Sequence, residues 1–144
     1  MTIQQVDVRI IRPLRSLVLR PGQPIESTDY DRDTETQTLH YANIVNQKVC
    51  SIATFYPESM LEFEPSLAYR LRGMATHPNY RRQGLASSMI LQAMADIQNL
   101  GCDLLWCKAR LVAIDFYKSL DFIKLGPIYE IEGIGPHYTM YKYL

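Results

Sequence analysis

A chain of 144 residues with 47% hydrophobic content has the material for one packed core and little length for a second, so a single domain over residues 1–144 is expected and disordered or fibrous classes are excluded. Fifteen basic residues against fifteen acidic ones give a net charge of zero, which leaves no global electrostatic reason to bind nucleic acid or an anionic membrane and makes any anion site local. Cys50, Cys102 and Cys107 have no zinc or redox spacing, so no metal is expected and reduced thiols point to a cytoplasmic protein; no window is apolar enough for a membrane span or a signal peptide.

Alternation of Val6, Val8 and Ile10 with Asp7 and Arg9 predicts a first strand with one buried face. Pro13, tolerated in a first helical turn, then opens a short helix whose Leu14, Leu17 and Val18 share a face and which Arg20-Pro21-Gly22 stops. Residues 21–38 hold five acidic residues, one basic residue and little apolar content, and read as an exposed, mobile connection. Strands are predicted over 39–45 and 48–56, joined by a tight turn at Asn46-Gln47. Pro57 and Pro65 bracket the next loop.

Residues 69–74 alternate again as a strand, which ends in a turn at Thr76-His77-Pro78-Asn79. Ala86, Met89, Ile90, Ala93, Met94 and Ile97 then form one apolar helical stripe, with Gly101 placed as a C-terminal stop. The near-continuous apolar run 103–108 suits a strand covered on both faces, and 112–120 restores helical spacing through Val112, Phe116 and Leu120. Two strands, 122–131 and 137–144, close the chain around Gly133-Ile134-Gly135-Pro136.

Between Glu64 and Asp96 the chain has no carboxylate, and its fixed charges there are Arg70, Arg72, Arg81 and Arg82. Arg81 and Arg82 abut Gln83-Gly84-Leu85-Ala86 where a turn gives way to the long helix, so free N–H groups and the positive helix end converge on one spot suited to phosphate. Gly84 admits close approach of a polyanion to the main chain, and Ala86 keeps the first turn thin. The alternative is a turn glycine beside a solvated arginine face. No GxxxxGK[ST] string is present.

The run Arg81-Arg82-Gln83-Gly84-Leu85-Ala86 matches the [R/Q]xxGx[G/A] signature of the GCN5-related N-acetyltransferase (GNAT) superfamily. The likeness continues through Trp106-Cys107-Lys108-Ala109-Arg110, Ala113, Phe116-Tyr117 and Leu120-Asp121-Phe122, which resemble the family's second half. On this resemblance the fold is α/β with a mixed, mostly antiparallel central sheet, splayed in the middle and flanked by helices. It implies an N-acetyltransferase that moves an acetyl group from acetyl-CoA to a primary amine of a small molecule or peptide by direct attack, without a metal. The alternative is a catalytically silent module that binds acyl-CoA or CoA. The resemblance places the CoA pyrophosphate on the amides around Arg82 to Ser87, with Arg81, Gln83, Gly84, Leu85 and Ala86 in the cradle, and the pantetheine along Met74, Ala75 and Thr76. A backbone N–H near Met74 or Ala75 is the oxyanion donor. Homodimers are frequent in the family, and no interface is legible in this sequence.

Tyr117 aligns with the tyrosine that family members use to protonate the departing thiolate. A thiol near ~8.5 and a phenol near ~10 make hydrogen-bond stabilisation of that thiolate the better description than full transfer. Glu58, Glu62, Glu64, His40, His77 or a water chain are the candidates for the base, while His137 and Cys107 read as strand residues. Arg110 stands where many members carry a cofactor-holding asparagine, and is expected to reach a phosphate or the acceptor. Asp121 replaces the usual glycine at a helix exit. The acidic residues between Glu26 and Glu35 suggest a cationic acceptor.

Overall fold

Asp7 separates the first two elements. Strand β1 (Thr2–Val6) gives way at once to helix α1 (Val8–Leu19), because the Asp7 carboxylate accepts the Arg9 N–H at 2.9 Å and caps the helix. The alternation expected to carry a strand through Ile10 is therefore split between two elements, and Pro13 lies inside α1 rather than in its first turn. Ile11 and Leu14 are buried, whereas Leu17 faces solvent. The computed structural model describes residues 1–63 and 67–144, so Glu64 and the loop expected at Pro65 lie outside the described residues.

Strands β2 (Leu39–Val45) and β3 (Lys48–Pro57) form the expected hairpin, and Asn46 and Gln47 both take positive φ, 49° and 66°, as a two-residue turn requires. Strand β4 (Ala68–Thr76), helix α2 (Leu85–Asn99) and strand β5 (Leu104–Arg110) follow. The last helix, α3 (Ile114–Ser119), starts two residues later than its spacing suggests, since Val112 belongs to a 3-10 turn and is fully exposed. Strands β6 (Ile123–Ile131) and β7 (Gly135–Tyr143) complete a seven-stranded sheet ordered β1-β2-β3-β4-β5-β7-β6. Only β4 and β5 are parallel, because α2 carries the chain back across the sheet between them.

The α2 stripe of Met89, Ile90, Ala93, Met94 and Ile97 buries itself against Tyr41, Phe55, Leu71, Leu105 and Cys107 on one sheet face. Asn43 of β2 reaches under the start of this helix and donates through Nδ2 to Leu85 O at 3.0 Å, fixing where the helix begins. On the other face, Ile11 and Leu14 of α1 pack on Ala42, Ile52 and Ala75. Among the described residues no helix is long and apolar enough to cross a membrane.

Residues 21–38 are not the mobile connection that their composition suggests. Arg15, fully buried on α1, donates to both oxygens of Asp33 at 2.7 and 3.0 Å, to Thr28 O at 3.0 Å and to Thr54 Oγ1 at 2.7 Å. His40 extends the network from Thr54 Oγ1 to Asp33 O, at 2.8 Å each. One buried cation thus ties the segment to α1 and β3. Breaking such a pair leaves an uncompensated buried charge, so Asp33→Asn is expected to destabilise the protein by about 3–5 kcal/mol. Urea denaturation checks this, and the double replacement Arg15→Met with Asp33→Leu should lose less than Asp33→Asn alone.

Candidate functional site

β4 and β5 stay paired from Ala68↔Leu104 to Leu71↔Cys107 and then part. Beyond that point β4 follows β3, reaching Ser51↔Thr76, while β5 follows β7 to Arg110↔His137. The divergence has a local cause. Thr54 pairs with Arg72 but Ile52 with Ala75, so β4 carries one residue more than β3 between these points, and Gly73 absorbs it at φ +62°. The bulge bends β4 away and leaves its edge from Arg72 to Thr76 without a partner in β5.

A cavity of about 820 Å³ occupies this wedge. Met74, Ala75, Thr76, Arg81, Arg82, Gly84, Leu85, Ala86, Ser87, Arg110 and Tyr117 all line it, so the structure gathers the expected cofactor-side residues and Tyr117, while Gln83 is exposed outside the lining.

At one end of the cavity α2 begins without a side-chain cap. Ser88 N–H is bonded to Gly84 O at 3.0 Å, which leaves the amides of Leu85, Ala86 and Ser87 ahead of it without intrahelical partners. Arg82 and Gly84 take left-handed φ values of 61° and 75°, which curl the loop ahead of the helix. A Cβ built on Gly84 meets nothing within 4 Å, so its outer side is open to a large ligand. The Cβ-free φ and the open space explain why glycine stands there.

In the middle of the cavity Tyr117 projects from α3 beside Cys107 of β5. Burial, then the neighbouring Cys107, holds the Tyr117 phenol well above the usual tyrosine range, and burial pushes the Cys107 thiol up likewise. Tyr117 is therefore a permanent hydrogen-bond donor at neutral pH, and Cys107 is an inert thiol rather than a nucleophile.

Tyr30, from the acidic segment, is a cavity residue that sequence reasoning missed. Its ring is sandwiched between the guanidinium groups of Arg15 and Arg72, 3.9 and 4.0 Å from its centre. A Cβ on Gly73 would lie 3.2 Å from the Tyr30 ring and hydroxyl, so the same glycine that makes the bulge also admits this ring. A glycine in the middle of an alternating strand was the available signal.

Of the candidate bases, none of the described ones lines the cavity. His40 is held by Thr54 and Asp33, His77 Nδ1 accepts the Asn79 N–H at 3.1 Å in a 3-10 turn, Glu58 pairs with Arg70 at 3.2 Å, and Glu62 is exposed. His137, read from the sequence as a strand residue, does line it. Its Nδ1 lies 2.8 Å from Gly135 O, an acceptor, so Nδ1 donates to it.

Burial of Tyr117 has a consequence for stability. Its folded pKa exceeds the unfolded value near ~10, so the unfolded chain loses this proton first and stability falls as pH rises above about 10. Tyr117→Phe is expected to remove about 1.4 kcal/mol of that loss in total between roughly pH 9 and 11, measured by denaturant unfolding.

Residues 11–122 match the model of the acetyltransferase (GNAT) family. The chain is 35% identical over 142 residues to the Bacillus subtilis (strain 168) protein that bears the name uncharacterized N-acetyltransferase YitI, covering 99% of this chain and 95% of that one. Among solved structures it resembles the NatC complex bound to Gag peptide and CoA, with a TM-score of 0.79, 16% identity and coverage of 99% of this chain and 98% of that one. It also resembles an aminoglycoside 6′-N-acetyltransferase complexed with coenzyme A, with a TM-score of 0.73, 13% identity and coverage of 99% and 97%.

Proposed function

The chain belongs to the GNAT family of acetyltransferases and is an acetyl-CoA-dependent N-acyltransferase by that membership, and on this premise we propose that its wedge moves an acetyl group from acetyl-CoA to a primary amine. One observation carries the reading: an uncapped helix start behind Arg82 and Gly84 opens into the same cavity as the unpaired edge of β4 and the Tyr117 hydroxyl. An anion cradle, a free strand edge and a fixed donor are what a phosphorylated, amide-containing thioester needs.

In this reading the amides of Leu85, Ala86 and Ser87, with Arg81, Arg82, Gln83 and Gly84, hold the pyrophosphate. Met74, Ala75 and Thr76 offer their free edge to the pantetheine amides, and the Met74 or Ala75 N–H faces the thioester oxygen. Arg110 contributes at the end of β5. When bound, acetyl-CoA supplies the activated acetyl thioester. Tyr117 donates a hydrogen bond to the sulfur, and its raised pKa makes it a stabiliser of the thiolate rather than a ready source of a full proton. His137 Nε2 is the proton acceptor that the cavity offers to the attacking amine. The whole of residues 1–144 acts as one domain, since β1 and β7 belong to the same sheet. Three buried, unpaired cysteines support a reducing, cytoplasmic setting.

Acetyl-CoA at one hundred times its Kd is expected to add about 2.7 kcal/mol of stability, seen as a rise of several degrees in Tm. Gly84→Val should abolish that rise, because a branched side chain at left-handed φ both fills the open side of the cradle and adds roughly 1–2 kcal/mol of backbone strain. A folded Gly84→Val protein with the full shift would place the phosphates elsewhere. Tyr117→Phe is expected to lower kcat by about 10²- to 10⁴-fold with little change in acetyl-CoA affinity. Steady-state kinetics and calorimetric titration on the two proteins separate those effects.

A further inference from the structure

The chain is electrically neutral, but its cavity is not. Arginine and lysine supply seven of the charged side chains lining it, and Asp115 is the only carboxylate there among the described residues. Arg81 and Arg82 lie at the α2 end. A second group of cations occupies the opposite end, on the sheet face away from α2. Arg70 and Arg72 alternate along β4 with the core residues Tyr69 and Leu71, and Trp106 and Lys108 alternate along β5 with Leu105 and Cys107, so these four share that face.

Their partners differ. Arg70 is neutralised by Glu58 at 3.2 Å. Among the described residues Arg72 has neutral partners, the Tyr30 ring and the Tyr56 hydroxyl at 3.3 Å. Lys108 is exposed, and burial of part of its stem, with Arg70 and Arg72 close by, pulls its pKa below the ordinary lysine value, while Glu58 partly offsets this. Two cations on one face, neither ion-paired to a described carboxylate, favour an anion between them.

The acidic segment does not supply that anion. Asp29 is paired with Arg12 at 2.8 Å, Asp33 with Arg15 at 2.7 Å and Glu35 with Arg32 at 3.0 Å. Among the described residues the segment lines the cavity only through Thr28 and Tyr30, and its remaining carboxylates, Glu26 and Asp31, are exposed outside that lining.

We propose, building on the acetyl-transfer reading, that the acceptor is an amine that bears its own carboxylate, and that Arg72 and Lys108 hold that carboxylate beside the thioester. Lys108 also borders a second cavity of about 430 Å³, whose lining includes Met60, Trp106, Leu125 and Tyr129, with Glu62 as its one carboxylate among the described residues. That cavity gives room for an apolar side chain next to the carboxylate, as in an apolar α-amino acid. In the transfer the amine nitrogen bonds to the acetyl carbon as the carbon–sulfur bond breaks. One amine proton is lost, one is taken up at sulfur, and the products are the CoA thiol and an N-acetylated acid.

The test uses the full chain with saturating acetyl-CoA and reads thiol release for leucine, methionine and phenylalanine, each against its own amide, with putrescine as the cationic arm. Each acid is expected to exceed its amide by about 10- to 100-fold in kcat/KM, the range of a charge-assisted hydrogen bond. The amide's amine is less basic and more largely unprotonated at neutral pH, so such a preference runs against intrinsic reactivity. Lys108→Glu should erase the preference and Lys108→Gln should reduce it, while the acetyl-CoA thermal shift stays. Equal or better turnover of amides or putrescine, or no turnover of any acid while acetyl-CoA still raises Tm, overturns the proposal and leaves acetyl transfer standing. Absence of both the thermal shift and turnover overturns the acetyl-transfer reading, and this inference with it.

Discussion

Two parallel strands that remain paired over only four residues govern this molecule. Had β4 and β5 stayed together to their ends, the sheet would be continuous and its backbone groups consumed. Each strand instead has a second neighbour that bends it the other way, β3 through the Gly73 bulge and β7 through an unbroken ladder to His137. Backbone donors left free by this divergence can be satisfied only by solvent or a ligand. The cavity, the exposed edge of β4 and the position of Tyr117 all follow from that split.

The split is held open from one side by an aromatic ring. Tyr30 fits against β4 because Gly73 has no side chain, and it is clasped by Arg15 below and Arg72 above. Arg15 is in turn fixed by Asp33, Thr28 and Thr54, so the buried ion pair that anchors residues 21–38 also sets the wall of the site. Buried pairs of this kind are weak sources of net stability, because desolvation offsets their Coulomb energy. Here the pair fixes the path of a polar segment that has few apolar residues to do so.

Charge in this protein is segregated rather than scarce. Asp29, Asp33 and Glu35 of the acidic segment pair with arginines, whereas Arg72, Arg81, Arg82 and Lys108 line the cavity without an ion pair to any described carboxylate. Tyr117 lines the same cavity, buried beside Cys107, where burial holds its proton. A neutral donor in a cavity that cations line suits a reaction in which negative charge appears on oxygen and sulfur.

Local rules in the sequence were enough for the β2–β3 hairpin, for α2 and for the strand before it, since a Gly- or Asn-type turn and an apolar period of 3.6 act within a few residues. They were also enough to set Arg81, Arg82 and Gly84 at the start of α2, which needs no distant partner. They misplaced the first strand, since the period-two pattern spanned a junction that Asp7 decides by capping, and they misread residues 21–38, whose order comes from Arg15, His40 and Thr54 in other elements. Tyr30 and His137 became site residues only once β4 and β5 had parted. By itself the sequence determined the family and the helix start at Gly84; the tertiary structure alone decided which charges are left unpaired, because pairing depends on side chains brought together from positions dozens of residues apart.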